Sequence, residues 1–338
     1  MKKQKNKIVI PGGSGFLGIS LAGYLSGAGY AVVILSRQKK NTQNGIRYEQ
    51  WDGKTLGAWA KEIEGALAVI NLAGRTVDCR YNQKNKAEIL NSRIDSTAIL
   101  GKAIQQCQTP PEVWINASSA TIYRDSREQF MDEETGIIGD DFSMNVCKAW
   151  EKAFYSFELT HTRQLALRTS IVLGRHGGAF QPLRNLAKMG LGGKQGDGGQ
   201  FFSWLHIDDF NRILLWLLQN PQFSGTVNCV APHPVTNEEA MATLRKALNV
   251  PFGLNLPKWT LAIGAFFMRT ETELVLKSRK VIPKRLLDQG FQFNFPTLVE
   301  AMNDLMNLSN ISFFERKSVK KHSIEALFCS NSSALSKK

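Results

Sequence analysis

The sequence predicts an α/β fold, a doubly wound parallel sheet followed by a smaller α+β lobe, and three observations predict it. An apolar run at 8–10 feeds a glycine-punctuated turn that opens into a helix. Strand-like and helix-like segments then alternate as far as Gly174, which is the pattern of right-handed βαβ crossovers. Beyond Gly174 glycine and proline become frequent and the alternation ends.

The elements follow in order. Residues 8–10 form the first strand and 19–25 the body of the first helix. Residues 31–35 are an unbroken apolar run, as a strand covered on both faces requires. A strand at 46–51, a helix at 57–64 and a buried fourth strand at 66–72 come next. A long helix at 83–106 places Ile89, Leu90, Ile94, Ile99 and Ile104 on one face. Strand 113–118, helix 144–159 and strand 165–173 complete the first half. Residues 1–174 are therefore assigned to a Rossmann-type domain whose sheet is open to later strands.

The opening turn states a chemistry. Gly12, Gly15 and Gly18 stand three residues apart between a strand and a helix. In that setting the first glycine permits the tight turn, the second lets backbone approach a pyrophosphate, and the third packs helix on strand. The helix N-terminus offers unpaired N–H groups and the positive end of its dipole. Dinucleotide binding is expected. NAD sites place a carboxylate after the second strand for the ribose 2′-hydroxyl. This chain has Ser36-Arg37-Gln38-Lys39-Lys40 instead, which suits a 2′-phosphate and hence NADP. A solvated basic turn is the alternative.

Composition removes other classes. The chain has 338 residues, 43% hydrophobic and 21% charged, with a formal net charge of +13. Lysines 2, 3, 5 and 7 and the basic residues of 307–338, less Glu315 and Glu325, supply eight of those thirteen charges. No basic stripe marks the body, so no nucleic-acid partner is expected. The five cysteines form no C-x-x-C and the five histidines show no ligand spacing, so neither a disulfide framework nor a metal site is expected. The lysine-rich start imitates a secretory signal, but Pro11-Gly12-Gly13 interrupts the apolar run, and nothing approaches ~18 uninterrupted apolar residues. A cytoplasmic protein without a membrane partner is expected, with a small-molecule substrate and a homodimer as the candidate assembly.

In the second half, residues 187–200 are glycine-rich without a preceding strand, which favours a mobile loop over a pocket against a phosphate loop. Asp208 or Asp209 is expected to cap the helix through 214–218. Residues 175–305, with prolines at 232, 234, 251, 257, 283 and 296, form the smaller substrate lobe. Residues 306–338 read as a flexible basic tail.

Ordered motifs along 7–305 resemble the extended short-chain dehydrogenase/reductase superfamily, and within it the atypical "epimerase family" branch with its characteristic C-terminal domain. The resemblance is carried by the residues at 12–18, Ser36-Arg37, Asn71-Leu72-Ala73-Gly74 and Ser92-Arg93. It continues through Leu173-Gly174, Gly192-Gly193, Trp204-Leu205-His206 and Val281-Ile282-Pro283-Lys284-Arg285. It implies that Gly12, Gly15, Phe16, Leu17 and Gly18 line the pyrophosphate turn and that Ser36 and Arg37 meet the 2′-phosphate. Asp52 falls where relatives contact adenine, and Leu72 and Ala73 flank the nicotinamide-side ribose. Arg93 stands where most extended members carry Asn, with Glu88 on the same helix as a sharer of its site. Val172 belongs to the strand beside the nicotinamide carboxamide.

The resemblance fails in one place. Extended members use a Ser/Thr with a Tyr-x-x-x-Lys helix, where the Lys lowers a phenol pKa of ~10 toward working pH. Here Ser119 takes the serine position, but Ser143 falls on the tyrosine and Cys147 on the lysine. Moving the register by one makes Lys148 the lysine and Met144 its partner. Ser119 is the expected hydrogen-bond donor to substrate. Cys147, ionised near Arg93, is one candidate substitute for the pair; Tyr123 is another, with a packed aromatic as its plainer reading. Two functions remain: an NADP-dependent oxidoreductase or epimerase on a hydroxyl or carbonyl of a polar, nucleotide-sugar-like molecule, or a non-catalytic NADP(H) sensor acting through a protein partner, for example in cell division.

Overall fold

The computed structural model describes residues 6–261, 271 and 273–306. The predicted tail therefore lies, past Met306, outside the described residues.

The first half alternates as expected: β1 (Lys7–Pro11), α1 (Phe16–Gly27), β2 (Ala31–Ser36), β3 (Arg47–Gln50), β4 (Ala68–Asn71), α2 (Gln83–Gln105), β5 (Val113–Ser119), α3 (Phe142–Tyr155) and β6 (Arg163–Thr169). The predicted helix at 57–64 is a short 3-10 segment, Ala58–Glu62. Later come β7 (Ile171–Gly174), β8 (Gly177–Gly178), α4 (Phe180–Leu186), β9 (Phe201–Phe202), β10 (Trp204–His206), α5 (Ile207–Gln219), β11 (Gly225–Cys229), β12 (Val235–Thr236) and α6 (Asn237–Ala247). Seven strands form one parallel sheet in the order β11-β6-β5-β4-β1-β2-β3. The order reverses between β1 and β4, and the crevice at their carboxyl ends is where open α/β sheets bind ligands.

Period-two alternation distributes the strand side chains between two cores. Ile8, Ile10, Ile34, Ile70, Ile115 and Leu167 meet Leu21 and Leu25 of α1 and Phe210 and Leu214 of α5. Val9, Val33, Leu35, Val69, Trp114 and Ala166 meet Ile99 and Leu100 of α2 and Phe154 of α3. Trp114 stands edge-on to Phe154, their centroids 4.6 Å apart. Each such fully buried apolar side chain contributes about 1.5–3 kcal/mol relative to exposure.

Chain beyond Gly174 returns to this body. β11 pairs in register with β6, and Asn211 of α5 donates to Ser20 Oγ of α1 at 2.9 Å.

Three expectations are corrected. The strand expected at 165–173 is two strands. Ser170 donates its N–H to the Cys229 carbonyl at the end of β11, and the next residues leave the main sheet to pair with β10 and β8. Neither aspartate caps α5. His206 does so, its Nδ1 accepting from the Asp208 N–H, while the fully buried Asp209 carboxylate accepts the N–H groups of Asn294 and Phe295 and pairs with Arg212. Residues 187–200, expected as a mobile loop, are tied into the body by hydrogen bonds. Gly193 and Gly196 donate to the Leu254 and Leu256 carbonyls, Leu254 and Leu256 donate back, and Gln195 N–H is held by Asn237. A Cβ on Gly193 would collide with the Leu254 backbone, so that glycine serves close chain approach.

Candidate functional site

The glycine turn separates three roles by geometry. Gly12 has φ +72°, and a Cβ there would lie 2.6 Å from Ala73 Cα and N, so β1 and β4 end in direct backbone contact. A Cβ on Gly18 would overlap Gly13, which brings α1 down onto the turn. Gly15 is different: a Cβ would find only the Gly12 carbonyl oxygen, 3.9 Å away. The fold does not demand glycine there, whereas a ligand resting on the turn does. Gly15 is also the N-cap of α1, with no side-chain cap and no acidic residue in the first turn. The helix end is thus open to an anion. Leu17 packs on the core. Phe16 contributes only its place at the helix start, because its ring lies against Gly174, Gly177 and Gly178, where any Cβ would strike it. That contact holds β7, with the buried Val172, beside the turn.

At the end of β2, Ser36 is buried and its Oγ accepts from the Gln38 N–H at 3.3 Å. Arg37 is exposed on the rim of a cavity of about 720 Å³, lined also by Lys39, Lys40, Tyr48, Trp51, Asp52 and Trp59. Asp52 is committed to its own turn. It accepts from the Thr55 hydroxyl and from the N–H groups of Thr55 and Lys54, and these bonds hold its carboxyl down at about 2.

Across the switch point, the buried Asn71 accepts the Ala73 N–H and donates to Asn116 Oδ1 at 2.7 Å. Thr97 bonds to Asn116 and accepts from Trp150 Nε1 at 2.9 Å, so one polar network ties β4, α2, β5 and α3 together behind Leu72 and Ala73. Arg93 is brought to this site. Its guanidinium donates to the carbonyls of Ile89 (2.8 Å) and Arg75 (3.1 Å), lies 5.1 Å over the Trp150 ring, and would be 3.4 Å from a Cβ on Gly74. Burial lowers its pKa. Glu88 does not join it. The Glu88 carboxylate, about one turn before Arg93 on α2, pairs with Arg75 of the loop after β4.

Ser119 ends β5, its Oγ donating to Thr121 Oγ1 at 2.9 Å and accepting the Thr121 N–H. Cys147 is not an ionised thiol. It packs with Ala120, Ile122 and Tyr123, and burial pushes it up to about 12 despite the nearby Arg93. Tyr123 is a packed aromatic: fully buried, it donates to Asn228 Oδ1 and accepts from Arg168, both at 2.9 Å. Lys148 pairs with Asp140 at the surface.

Residue-by-residue reading missed the wall opposite α3. Lys277 pairs with Asp141, the N-cap of α3, and Arg279 has its Nε buried and without a bonding partner, burial lowering its pKa. Tyr81, two residues before α2, stands edge-on to Phe142 at the start of α3, their ring centroids 5.1 Å apart. No spacing pattern joins these residues. Only the adjacency of Arg279 to the Val281-Ile282-Pro283 motif hinted at its place.

Residues 8–229 match the NAD dependent epimerase/dehydratase family, and residues 256–305 match a domain of unknown function, DUF1731. The chain is 33% identical over 303 residues to the human epimerase family protein SDR39U1, covering 89% of this chain and 99% of that protein. It is 32% identical to the epimerase family protein YfhF of Bacillus subtilis, covering 88% and 97%. The crystal structure of human SDR39U1 (isoform 2) with NADPH superposes with a TM-score of 0.79, over 89% of this chain and 99% of that one. A nucleoside-diphosphate sugar epimerase from Corynebacterium glutamicum, 26% identical, superposes at 0.73, over 96% of this chain and 62% of that one.

Proposed function

The chain belongs to the NAD dependent epimerase/dehydratase family, and from that premise we propose that it is an NADP(H)-dependent oxidoreductase or epimerase acting on a hydroxyl or carbonyl of a polar, nucleotide-sugar-like small molecule. The observation that carries the cofactor is the open, uncapped helix start at Gly15, where the fold leaves a Cβ's space unfilled. The human relative, crystallised with NADPH, supports the same reading.

The residues present fit that group. Gly12, Gly15, Leu17 and the start of α1 would hold the pyrophosphate. Arg37, with Ser36 behind it, would grip the 2′-phosphate, and Leu72, Ala73 and Val172 would border the nicotinamide half. When bound, the nicotinamide supplies or removes hydride at C4. Around it, the Arg93 guanidinium beside Gly74 brings one positive charge to the cleft, which suits an anionic or phosphorylated substrate, and Ser119 can donate a hydrogen bond to a substrate oxygen.

The missing Tyr-x-x-x-Lys pair favours the second reading, an NADP(H) sensor acting through a protein partner. That reading needs a segment free to order on binding, and residues 187–200 are already hydrogen-bonded along their length. The enzyme reading therefore stands ahead of it. Calorimetry with NADPH and NADH tests the cofactor, and NADPH is expected to bind more tightly. Transfer of label from [4-²H]NADPH to members of a carbonyl panel tests the chemistry. Tight NADPH binding with no transfer to any of them returns the sensor reading to first place.

A further inference from the structure

Large apolar side chains scattered singly over a surface need no explanation, whereas a cluster of them does. Among the described residues the four most exposed are Met189, Phe252, Leu254 and Trp259, each 60–66% accessible. They lie on two short segments that the fold presses together. A Cβ on Gly190 would stand 3.8 Å from the Phe252 ring, and one on Gly253 would strike the Gly192 and Gly193 backbone. Leu254 donates its N–H to the Gly190 carbonyl at 2.8 Å, and Gly193 donates to the Leu254 carbonyl at 3.1 Å. Leu256 then donates to the Lys194 carbonyl at 2.9 Å, three residues before Trp259.

The charges carried by these segments have one sign. Residues 184–196 and 245–258 contain Arg184, Lys188, Lys194, Arg245, Lys246 and Lys258 and not one Asp or Glu. Lys188, Lys246 and Lys258 are exposed. Lys258 Cγ would lie 3.9 Å from a Cβ on Gly196, and Arg245 crosses between the segments to donate to the Gly192 carbonyl. The first carboxylate past Gly196, Asp197, is already paired with Arg127.

We propose that this face docks on an anionic phospholipid surface, with Met189, Phe252, Leu254 and Trp259 entering the headgroup region and the lysines meeting lipid phosphates. The proposal goes beyond the function argued above and does not depend on it. Apolar burial and attraction to anionic lipid add in such a contact. Trp suits that depth, because its ring is apolar and its N–H reaches water. The contact is peripheral: no helix among the described residues is long and apolar enough to cross a membrane, which bears on spanning a bilayer and not on lying against one. An acidic peptide fits less well. The two segments spend these backbone groups on each other, so a peptide would find no free edge to pair with there, whereas a bilayer needs only the projecting side chains.

The test floats the full chain with phosphatidylcholine vesicles, made with and without about one-third phosphatidylglycerol. The anionic vesicles should bind at least about tenfold more tightly, and added salt should weaken that binding. Phe252→Ser combined with Leu254→Ser should cut the partition about tenfold or more, and so should Lys188→Gln combined with Lys258→Gln. All four side chains are exposed, so both variants should melt with the parent. Lipid brominated on its acyl chains should quench a fluorescence component that Trp259→Phe lacks. A further variant, Arg316→Gln, Lys317→Gln, Lys320→Gln and Lys321→Gln together, measures attraction by the basic C-terminal sequence alone. Binding that is lost in that variant and survives both patch variants overturns the proposal. Equal binding to the two kinds of vesicle, or binding to neither, does the same. So does a Trp259 shielded from acrylamide without vesicles, since the face would then be covered by the chain itself or by a second copy. An acidic amphipathic peptide that binds where vesicles fail would make this a protein-binding face and overturn the lipid assignment.

Discussion

Glu151 on α3 grips Arg168 on β6 through both carboxylate oxygens, at 2.8 Å to Nε and 2.8 Å to Nη2. Both side chains are nearly buried, at 12% and 10% exposure, and Ser118 Oγ donates to the same carboxylate. Burial alone would lower the Arg168 pKa, but the Glu151 bond outweighs it and raises the value above that of an ordinary guanidinium. The ion pair fixes one end of the α3 face whose other end carries Ser143.

Removing one partner leaves a buried charge. Glu151→Gln should therefore destabilise the fold by about 3–5 kcal/mol in urea denaturation, because Arg168 loses its counter-ion. The double variant Glu151→Leu with Arg168→Met should lose clearly less than that, since no charge remains to strand.

The glycine turn allows a contrast between fold and ligand. Gly18→Ala forces a methyl into Gly13 and should destabilise by about 1–3 kcal/mol. Gly15→Ala at φ −85° meets only the Gly12 carbonyl oxygen at an ordinary 3.9 Å, so its melting temperature should stay close to the parent's while NADPH affinity falls steeply. Thermal melts paired with calorimetry check both. A stable Gly15→Ala protein that binds NADPH normally would remove the ligand from this turn.

How far the sequence could be read follows from where the determining contacts are. The parallel sheet was legible because β1, β2 and β4 are apolar on both faces and a glycine turn links strand to helix. The break at Ser170 was not, since it depends on Cys229, almost sixty residues later, taking the Ser170 N–H. Asp209 read as a cap because capping is local, whereas its real partners are the Asn294 and Phe295 amides. Cys147 could be placed on α3 from its register, but the small apolar cluster with Ala120, Ile122 and Tyr123 that keeps it neutral belongs to tertiary structure. The same holds for Tyr81 and Phe142, whose rings meet although they are far apart in the chain.

Arg37 should decide between cofactors. It stands exposed at the cavity rim with Lys39 and Lys40. Charge-assisted hydrogen bonds contribute about 1.5–3 kcal/mol, so Arg37→Gln should weaken NADPH roughly ten- to hundredfold. NADH has no 2′-phosphate, and its affinity should change little. Calorimetry with both nucleotides gives the ratio, and an equal loss for the two would assign Arg37 to a role common to both.

Cys147 makes the last prediction, and its sign follows from the raised pKa. Burial pushes the folded thiol up to about 12, above the ~8.5 of a free cysteine, so the native state holds its proton more firmly than the unfolded chain. Its contribution to stability is complete below about pH 8.5 and is lost as pH rises through the window toward 12. Cys147→Ala should flatten the alkaline fall in melting temperature between about pH 9 and 11. Iodoacetamide, which reacts with thiolate, should label the more accessible Cys79 and Cys107 of the native protein well before Cys147. Mass spectrometry of the alkylated peptides checks the order, and rapid labelling of Cys147 at neutral pH would restore it as a candidate for acid–base chemistry.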